Sequence, residues 1–222
     1  MSLPDPDFLR KLGAKILKWW SKNKRDYPWR HETDPYRILI AEIMLQRTKA
    51  DQVVPVYLEF IKRYPTIKDL GRANLEDIEY FFNKLGLKWR AKRVLEMAKY
   101  IAEKFDGKLP AEKEYLLEIP MIGEYISDAI LSFAYGLDVA VIDANVVRVI
   151  GRLLCLEPHG EARRDPRFRN IAGMMLPRGR AREYNWAMID FAALICTPRN
   201  PRCDICPLRN NCCFFRRSKT KV

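Results

Sequence analysis

Four cysteines near one end constrain this chain more than any other feature. Cys196, Cys203, Cys206 and Cys212 follow the pattern Cys-x6-Cys-x2-Cys-x5-Cys within seventeen residues. Soft thiolates placed so closely are those of a compact loop wrapped around a single metal centre. Two occupants are open. A structural zinc is the plainer one, but zinc ribbons use two separate Cys-x2-Cys knuckles, and here one knuckle is flanked by gaps of six and five. The other is an iron–sulfur cluster. Cys213 could stand in for Cys212; otherwise Cys213 and Cys155 are left over and are read as small packing residues without a role. A disulfide-stapled secreted scaffold would spread its cysteines, whereas five of the six here crowd into eighteen residues.

The remaining residues read as helix. Phe8, Leu12, Ile16, Trp19 and Trp20 recur at helical spacing, as do Val53, Tyr57, Phe60, Ile61 and Tyr64. Further helices are expected near 37–48, 75–83, 90–105, 112–118, 124–135, 144–154, 166–175 and 182–195, with Gly or Pro between them. No run alternates as a strand would, so the fold class is all-α. With 222 residues, 48% of them apolar, the chain can bury one large core or two small ones.

The net charge of +12 attracts a phosphate polyanion or an anionic surface, without deciding between them. No apolar run approaches the ~20 residues that span a bilayer. The opening Met1-Ser2-Leu3-Pro4-Asp5 lacks the build of a signal peptide. No membrane partner and an intracellular, cytoplasmic location are therefore expected, nucleoid-associated if the source is prokaryotic. Two Gln against 31% charged residues lean toward a thermophilic source. His31 and His159 sit in no ligand or nucleophile–base spacing.

Three segments carry the rest of the chemistry. Ile119-Pro120-Met121-Ile122-Gly123-Glu124-Tyr125 lies between two short helical patterns, shaped like a helix–hairpin–helix. Gly123 permits a tight turn whose backbone N–H groups can face phosphate, although such a turn is most often mere connection. Asp143, in Val141-Ile142-Asp143-Ala144-Asn145, opens an apolar helix, where an ordinary N-cap aspartate also belongs. Glu42 is a lone acid in the apolar stretch Ile40-Ala41-Glu42-Ile43-Met44-Leu45-Gln46-Arg47-Thr48. Burial there favours a proton donor, and a plain ion pair with Arg37 or Arg30 is the competing role.

Taken together, the hairpin, the aspartate twenty residues later and the cysteine loop, with Pro207-Leu208 inside it, resemble the endonuclease III superfamily of DNA glycosylases. The resemblance runs from about residue 8 to 214. It implies a [4Fe–4S] cluster on the four cysteines, structural and DNA-orienting. It also implies two helical lobes with the active site in their cleft: a central lobe over 28–138 holding the hairpin, and a lobe joining 1–27 to 139–222 that carries the cluster loop 196–212. Asp143 becomes the catalytic carboxylate that stabilises the cationic sugar and orients water, and Glu42 touches the base. Tyr125 stands where bifunctional members carry the Schiff-base lysine, so weak or no AP lyase activity is expected. Met121 replaces the family's first hairpin glycine. Double-stranded DNA holding a mismatched or damaged base is the implied partner, bound by a monomer. Its contacts are assigned to Gln46, Arg47, Leu87, Ile122, Gly123 and Asn145.

Two subfamilies share Tyr27-Pro28-Trp29-Arg30 and Asp34-Pro35-Tyr36 with this chain: A/G-mismatch adenine glycosylases and archaeal-type thymine-DNA mismatch glycosylases. With ten residues after Cys212, no extra domain of the kind typical adenine enzymes carry is expected, which leans toward the thymine enzymes. Leu87, Asp143-Ala144-Asn145 and Thr48-Lys49-Ala50 resemble the thymine enzymes, and Gln46 points the other way. The expected function is hydrolysis of thymine or uracil from mispairs with guanine in base excision repair. The alternatives are a shortened adenine glycosylase and, outside enzymes, a non-catalytic iron–sulfur DNA-binding module.

Overall fold

The computed structural model describes residues 4–161 and 164–219. Its α-helices are α1 (Pro6–Trp20), α2 (Pro35–Leu45), α3 (Ala50–Arg63), α4 (Ile67–Gly71), α5 (Leu75–Asn83), α6 (Ala91–Lys104), α7 (Lys113–Glu118), α8 (Glu124–Phe133), α9 (Ala144–Leu154), α10 (Pro166–Met175), α11 (Ala181–Leu194) and α12 (Cys213–Lys219). Short 3-10 turns lie at Pro28–Arg30, Lys88–Arg90 and Arg209–Asn211. The all-α expectation holds: there is no strand among the described residues. Nor, among them, is any helix long and apolar enough to cross a membrane.

Local chemistry sets where several helices begin. Asp5, Asp34, Asp143 and Asp165 each accept backbone N–H groups of the first turn of α1, α2, α9 and α10. In three of these the next residue is proline (Pro6, Pro35, Pro166), whose fixed φ and missing N–H suit the first helical position. Thr66 and Asp69 cap α4 reciprocally.

The chain divides into two compact units, Asp26–Tyr135 and Met1–Arg25 with Gly136–Val222. Within Asp26–Tyr135, α2 is apolar on nearly every side and is buried from Tyr36 to Met44 apart from Arg37. It packs on α3 and α8, while α4 and α5 pack on α6. Phe60 meets Tyr64, Phe81 and Phe82 at ring-centroid distances of 5.1–6.0 Å, closing the α3–α5 side of this core. A polar side chain on the inner faces of α2 therefore stands deep in apolar surroundings.

In the other unit, α1 lies on α10 and α11, and α9 on α10, α11 and α12. Leu9, Leu12 and Ile16 of α1 join Val146, Val149, Ile150, Phe168, Met175 and Phe191 in one core, and Cys196, Cys206 and Cys212 pack against it. The approach of α1 to α10 depends on Gly13. A β-carbon there would stand 1.9 Å from the Met175 carbonyl oxygen.

One reading of the cysteines is corrected. Cys155 and Cys213 are joined in a disulfide, 58 residues apart in sequence, with Cα atoms 5.5 Å apart. Cys155 ends α9 with φ 51°, a left-handed conformation uncommon outside glycine and asparagine. The bond ties that end to the start of α12. Neither residue is a mere packing residue, and Cys213 is not free to replace Cys212 as a ligand.

Gly13→Ala is expected to destabilise the protein by about 1–3 kcal/mol, since a backbone oxygen must shift to admit the methyl. Thermal denaturation checks this: a lowered midpoint is expected, and an unchanged one would contradict the α1–α10 contact.

Candidate active site and cluster loop

Glu42 projects from α2 and is 5% exposed, the one acid in that helix. Its Oε2 accepts a hydrogen bond from Tyr125 Oη on α8 at 2.8 Å. Arg37, one of the two cations weighed as its partner, instead bonds Glu32 at 2.9 Å and lies 3.9 Å from Asp34. The structure thus brings together two of the singled-out residues, a buried carboxyl and a phenol from sequence positions 83 apart.

Tyr125 is held there by the hairpin. α7 ends at Glu118, Ile122 N–H donates to the Ile119 carbonyl at 3.1 Å, and α8 starts after Gly123. Ile119 and Ile122 are buried, 2% and 5% exposed, and pin the turn to the core. Ile122, singled out as a DNA contact, has its side chain sequestered and its N–H engaged within the turn. Gly123 is exposed, and no heavy atom lies within 4 Å of where its β-carbon would be, which leaves its backbone open to approach. Met121 takes φ 70°, the conformation for which a glycine is the ordinary residue.

Asp143 caps α9. Its Oδ1 accepts from the N–H groups of Asn145 (2.8 Å) and Val146 (2.7 Å), and its Oδ2 from Asn145 Nδ2 (2.6 Å). Asn145 Oδ1 in turn accepts from Arg148 at 2.9 Å. Asn145, singled out as a DNA contact, thereby also orients Asp143. The remaining nitrogens of Arg148 donate to the carbonyls of Cys196 and Ala192, each at 3.0 Å. Burial holds the Arg148 guanidinium below its usual basicity.

One turn on, Arg152 donates to Thr197 O (2.6 Å), Pro198 O (2.7 Å) and Cys196 Sγ (3.6 Å). Arg148 and Arg152 clamp the start of the cysteine loop, and sequence reasoning missed both. Their signal was available: Asn145, Arg148 and Arg152 share one face of α9 at intervals of three and four.

Cys196, Cys203, Cys206 and Cys212 are half-buried free thiols lining one cavity with Val149, Leu153, Phe191 and Ile195. Burial pushes the Cys206 thiol up to about 11, and burial followed by the neighbouring sulfurs raises Cys203. The donor set is four soft sulfurs around a shared, apolar-backed opening. Four soft sulfurs on an apolar-backed opening are a donor set that suits an iron–sulfur cluster.

Leu87, singled out as a DNA contact, is 5% exposed here, its N–H returning to the Phe82 carbonyl at 2.8 Å. Gln46 is half-buried where α2 ends, and Arg47 is exposed with φ 67°.

A buried carboxyl–phenol pair beside a helical hairpin, an aspartate capping a second helix and a four-thiol loop are the features with which the comparisons below agree. Residues 40–169 match the model of the HhH-GPD superfamily base excision DNA repair proteins, and residues 196–212 match the iron–sulfur binding domain of endonuclease III. A thymine-DNA glycosylase of Aeropyrum pernix is 35% identical over 95% of this chain and 97% of its own length. An adenine DNA glycosylase of Mycolicibacterium smegmatis is 36% identical over 88% of this chain but 67% of its own. The solved structure of a thermostable thymine-DNA glycosylase superposes with a TM-score of 0.88, at 32% identity over 95% of this chain and 98% of that one. The chain belongs to the HhH-GPD superfamily and is a base-excision DNA N-glycosylase.

Replacing Met121 by glycine is expected to stabilise the hairpin by about 1 kcal/mol, the cost of a left-handed side chain. Met121→Ile, β-branched, should destabilise it. Urea denaturation of the two variants checks the order, and a glycine variant less stable than the parent would contradict it.

Proposed function

We propose that the enzyme removes thymine or uracil mispaired with guanine by hydrolysing the N-glycosidic bond, and leaves the DNA backbone intact. The observation that carries this reading is the 2.8 Å bond from Tyr125 Oη to Glu42 Oε2. It puts a phenol and a carboxyl, and no amine, where the resemblance places the strand-cleaving lysine. The likeness to thymine-DNA glycosylases over nearly the whole of both chains supports the choice of base. Uracil is thymine without its methyl group, so a pocket that admits the larger base has room for the smaller.

In this reading a mispaired nucleotide, cheap to extrude because it is poorly stacked and paired, rotates out of the duplex. Glu42 and Tyr125 receive the base. As the C1′–N1 bond breaks, its electron pair leaves with the pyrimidine, and a proton from the Glu42–Tyr125 pair neutralises it. Positive charge builds on the sugar, where the Asp143 carboxylate stabilises it and orients the water that forms the new C1′–O bond. The water's proton passes to Asp143, and the products are a free base and an abasic site. Asn145 and the α9 N–H groups act by positioning Asp143.

A [4Fe–4S] cluster on Cys196, Cys203, Cys206 and Cys212 would shape the loop and supply no hydrolytic chemistry. The enzyme acts as a monomer on genomic DNA, inside the cell. A second reading, adenine removal from A·G mispairs, is favoured by Gln46 and by the adenine glycosylase relatives.

Asp143→Asn keeps an amide oxygen that can still cap α9, so the fold and DNA affinity should persist. Single-turnover release of uracil from a G·U duplex is expected to fall by roughly 10²–10⁴-fold. Turnover equal to the parent's would remove Asp143 from the mechanism.

A further inference from the structure

The cysteine loop is tied to α9 at both of its ends. At its start, Arg152 donates to the Thr197 and Pro198 carbonyls. At its far end the tie is covalent: Cys213, the residue after Cys212, is bonded to Cys155, where α9 stops. Cys212 Sγ lies 3.5 Å from the Arg152 carbonyl oxygen. Phe214 follows, and the Arg152 guanidinium carbon is 5.0 Å from the centroid of its ring.

Two cavities flank that pair. One is the opening lined by the four free cysteines; the other, of about 610 Å³, is bounded by Cys155, Leu156, Phe168, Arg148 and Arg217. Arg152 and Phe214 line both, so the pair forms the partition between the cysteine opening and the larger cavity. The partition depends on the disulfide, which fixes the first residue of α12. α12 is seven residues long, too short to hold itself as a helix without such a tie. Cys155 is half-buried and faces the larger cavity, whose arginines favour a thiolate there.

We propose that the Cys155–Cys213 bond is the clasp of the cluster site and a site of thiol–disulfide exchange. Closed, it holds Cys212 as the last ligand of the loop and Phe214 as the screen between the cluster and the larger cavity. A small dithiol entering that cavity opens the clasp. A thiolate of the reagent attacks the Cys155 sulfur, and the Cys213 sulfur leaves and takes up a proton. The reagent's second thiol then displaces Cys155 from the mixed disulfide. The dithiol is oxidised to a disulfide, and the protein gains two thiols. The start of α12 is thereby released from α9, Phe214 moves with it, and the cluster is uncovered. The inference rests on a cluster held by the four free cysteines, but not on which base is removed.

The test uses the full chain with its cluster, kept anaerobic, and follows transfer of iron to a colorimetric chelator with and without prior treatment by dithiothreitol. Thiols are counted on the same samples after denaturation and removal of iron: four are expected before the dithiol and six after it. The reduced parent should release iron roughly 10-fold faster than the oxidised parent. Cys155→Ser should release it at the faster rate with or without the dithiol. Phe214→Ala should also release it faster, while still showing four thiols before reduction. Gly13→Ala, weakened at the α1–α10 contact of the same unit, should match the oxidised parent and so separates the clasp from a general loss of stability. Six thiols before reduction, no acceleration in the reduced parent or in Cys155→Ser, or an equal acceleration in Gly13→Ala would overturn the proposal. A parent that binds no iron would sink the cluster reading and the clasp with it, whereas an iron-loaded parent indifferent to reduction would sink the clasp alone.

Discussion

A single guanidinium, that of Arg148, holds three pieces of chain in register. It donates to Asn145 at the start of α9, to Ala192 near the end of α11, and to Cys196, the first cysteine of the loop. A planar fork with several fixed donors can make these bonds at once, and a lysine ammonium on a flexible stem cannot hold the same geometry. Through Asn145 the fork also fixes the cap at Asp143. The aspartate, the helix that bears it and the mouth of the cysteine loop therefore share one support. Losing the fork would leave two half-buried carbonyl acceptors and the Asn145 amide without that donor.

The unit Asp26–Tyr135 solves a parallel problem with apolar packing. α2 is buried almost throughout, so Glu42 is placed by the core and bonded there by Tyr125. The hairpin that carries Tyr125 is pinned by Ile119 and Ile122, and Arg90 bonds the same α2 from the opposite direction in sequence. Groups with chemistry thus sit on rigid helices or on turns tied to them, which is what holding a reacting nucleotide to within a fraction of an ångström requires.

Most of the helical architecture was legible because its signals are local. Helices expected at 75–83, 144–154 and 166–175 coincide with α5, α9 and α10, whose boundaries are written in Asn74, Asp143 and Asp165 caps. The expected 37–48 overran α2, because Gln46 is extended and Arg47 left-handed, a turn that apolar periodicity does not register. α4 and α12, at five and seven residues, are too short for a periodic stripe to declare them. Where the sequence misled, the cause was long range or conformational. The Cys155–Cys213 bond joins residues 58 apart, and nothing local marks the pairing. A chain reversal after α5 turns Leu87 inward and leaves the Trp89 indole exposed, which periodicity does not register. The cysteine spacing, Glu42, Tyr125 and Asp143 could be singled out in advance. The arginines that make the loop and the cap one structure were missed: their spacing on one face of α9 was legible, but each bonds backbone carbonyls that no side-chain pattern reveals.

The central claim is hydrolytic removal of a pyrimidine opposite guanine without strand cleavage. Its most direct test is single-turnover base release from labelled G·T, G·U and A·G duplexes, each analysed with and without alkali. Release from G·T and G·U, with strand breaks appearing only after alkali, is the expected result. Adenine release from A·G, strand cleavage without alkali, or no release from either pyrimidine duplex would contradict it.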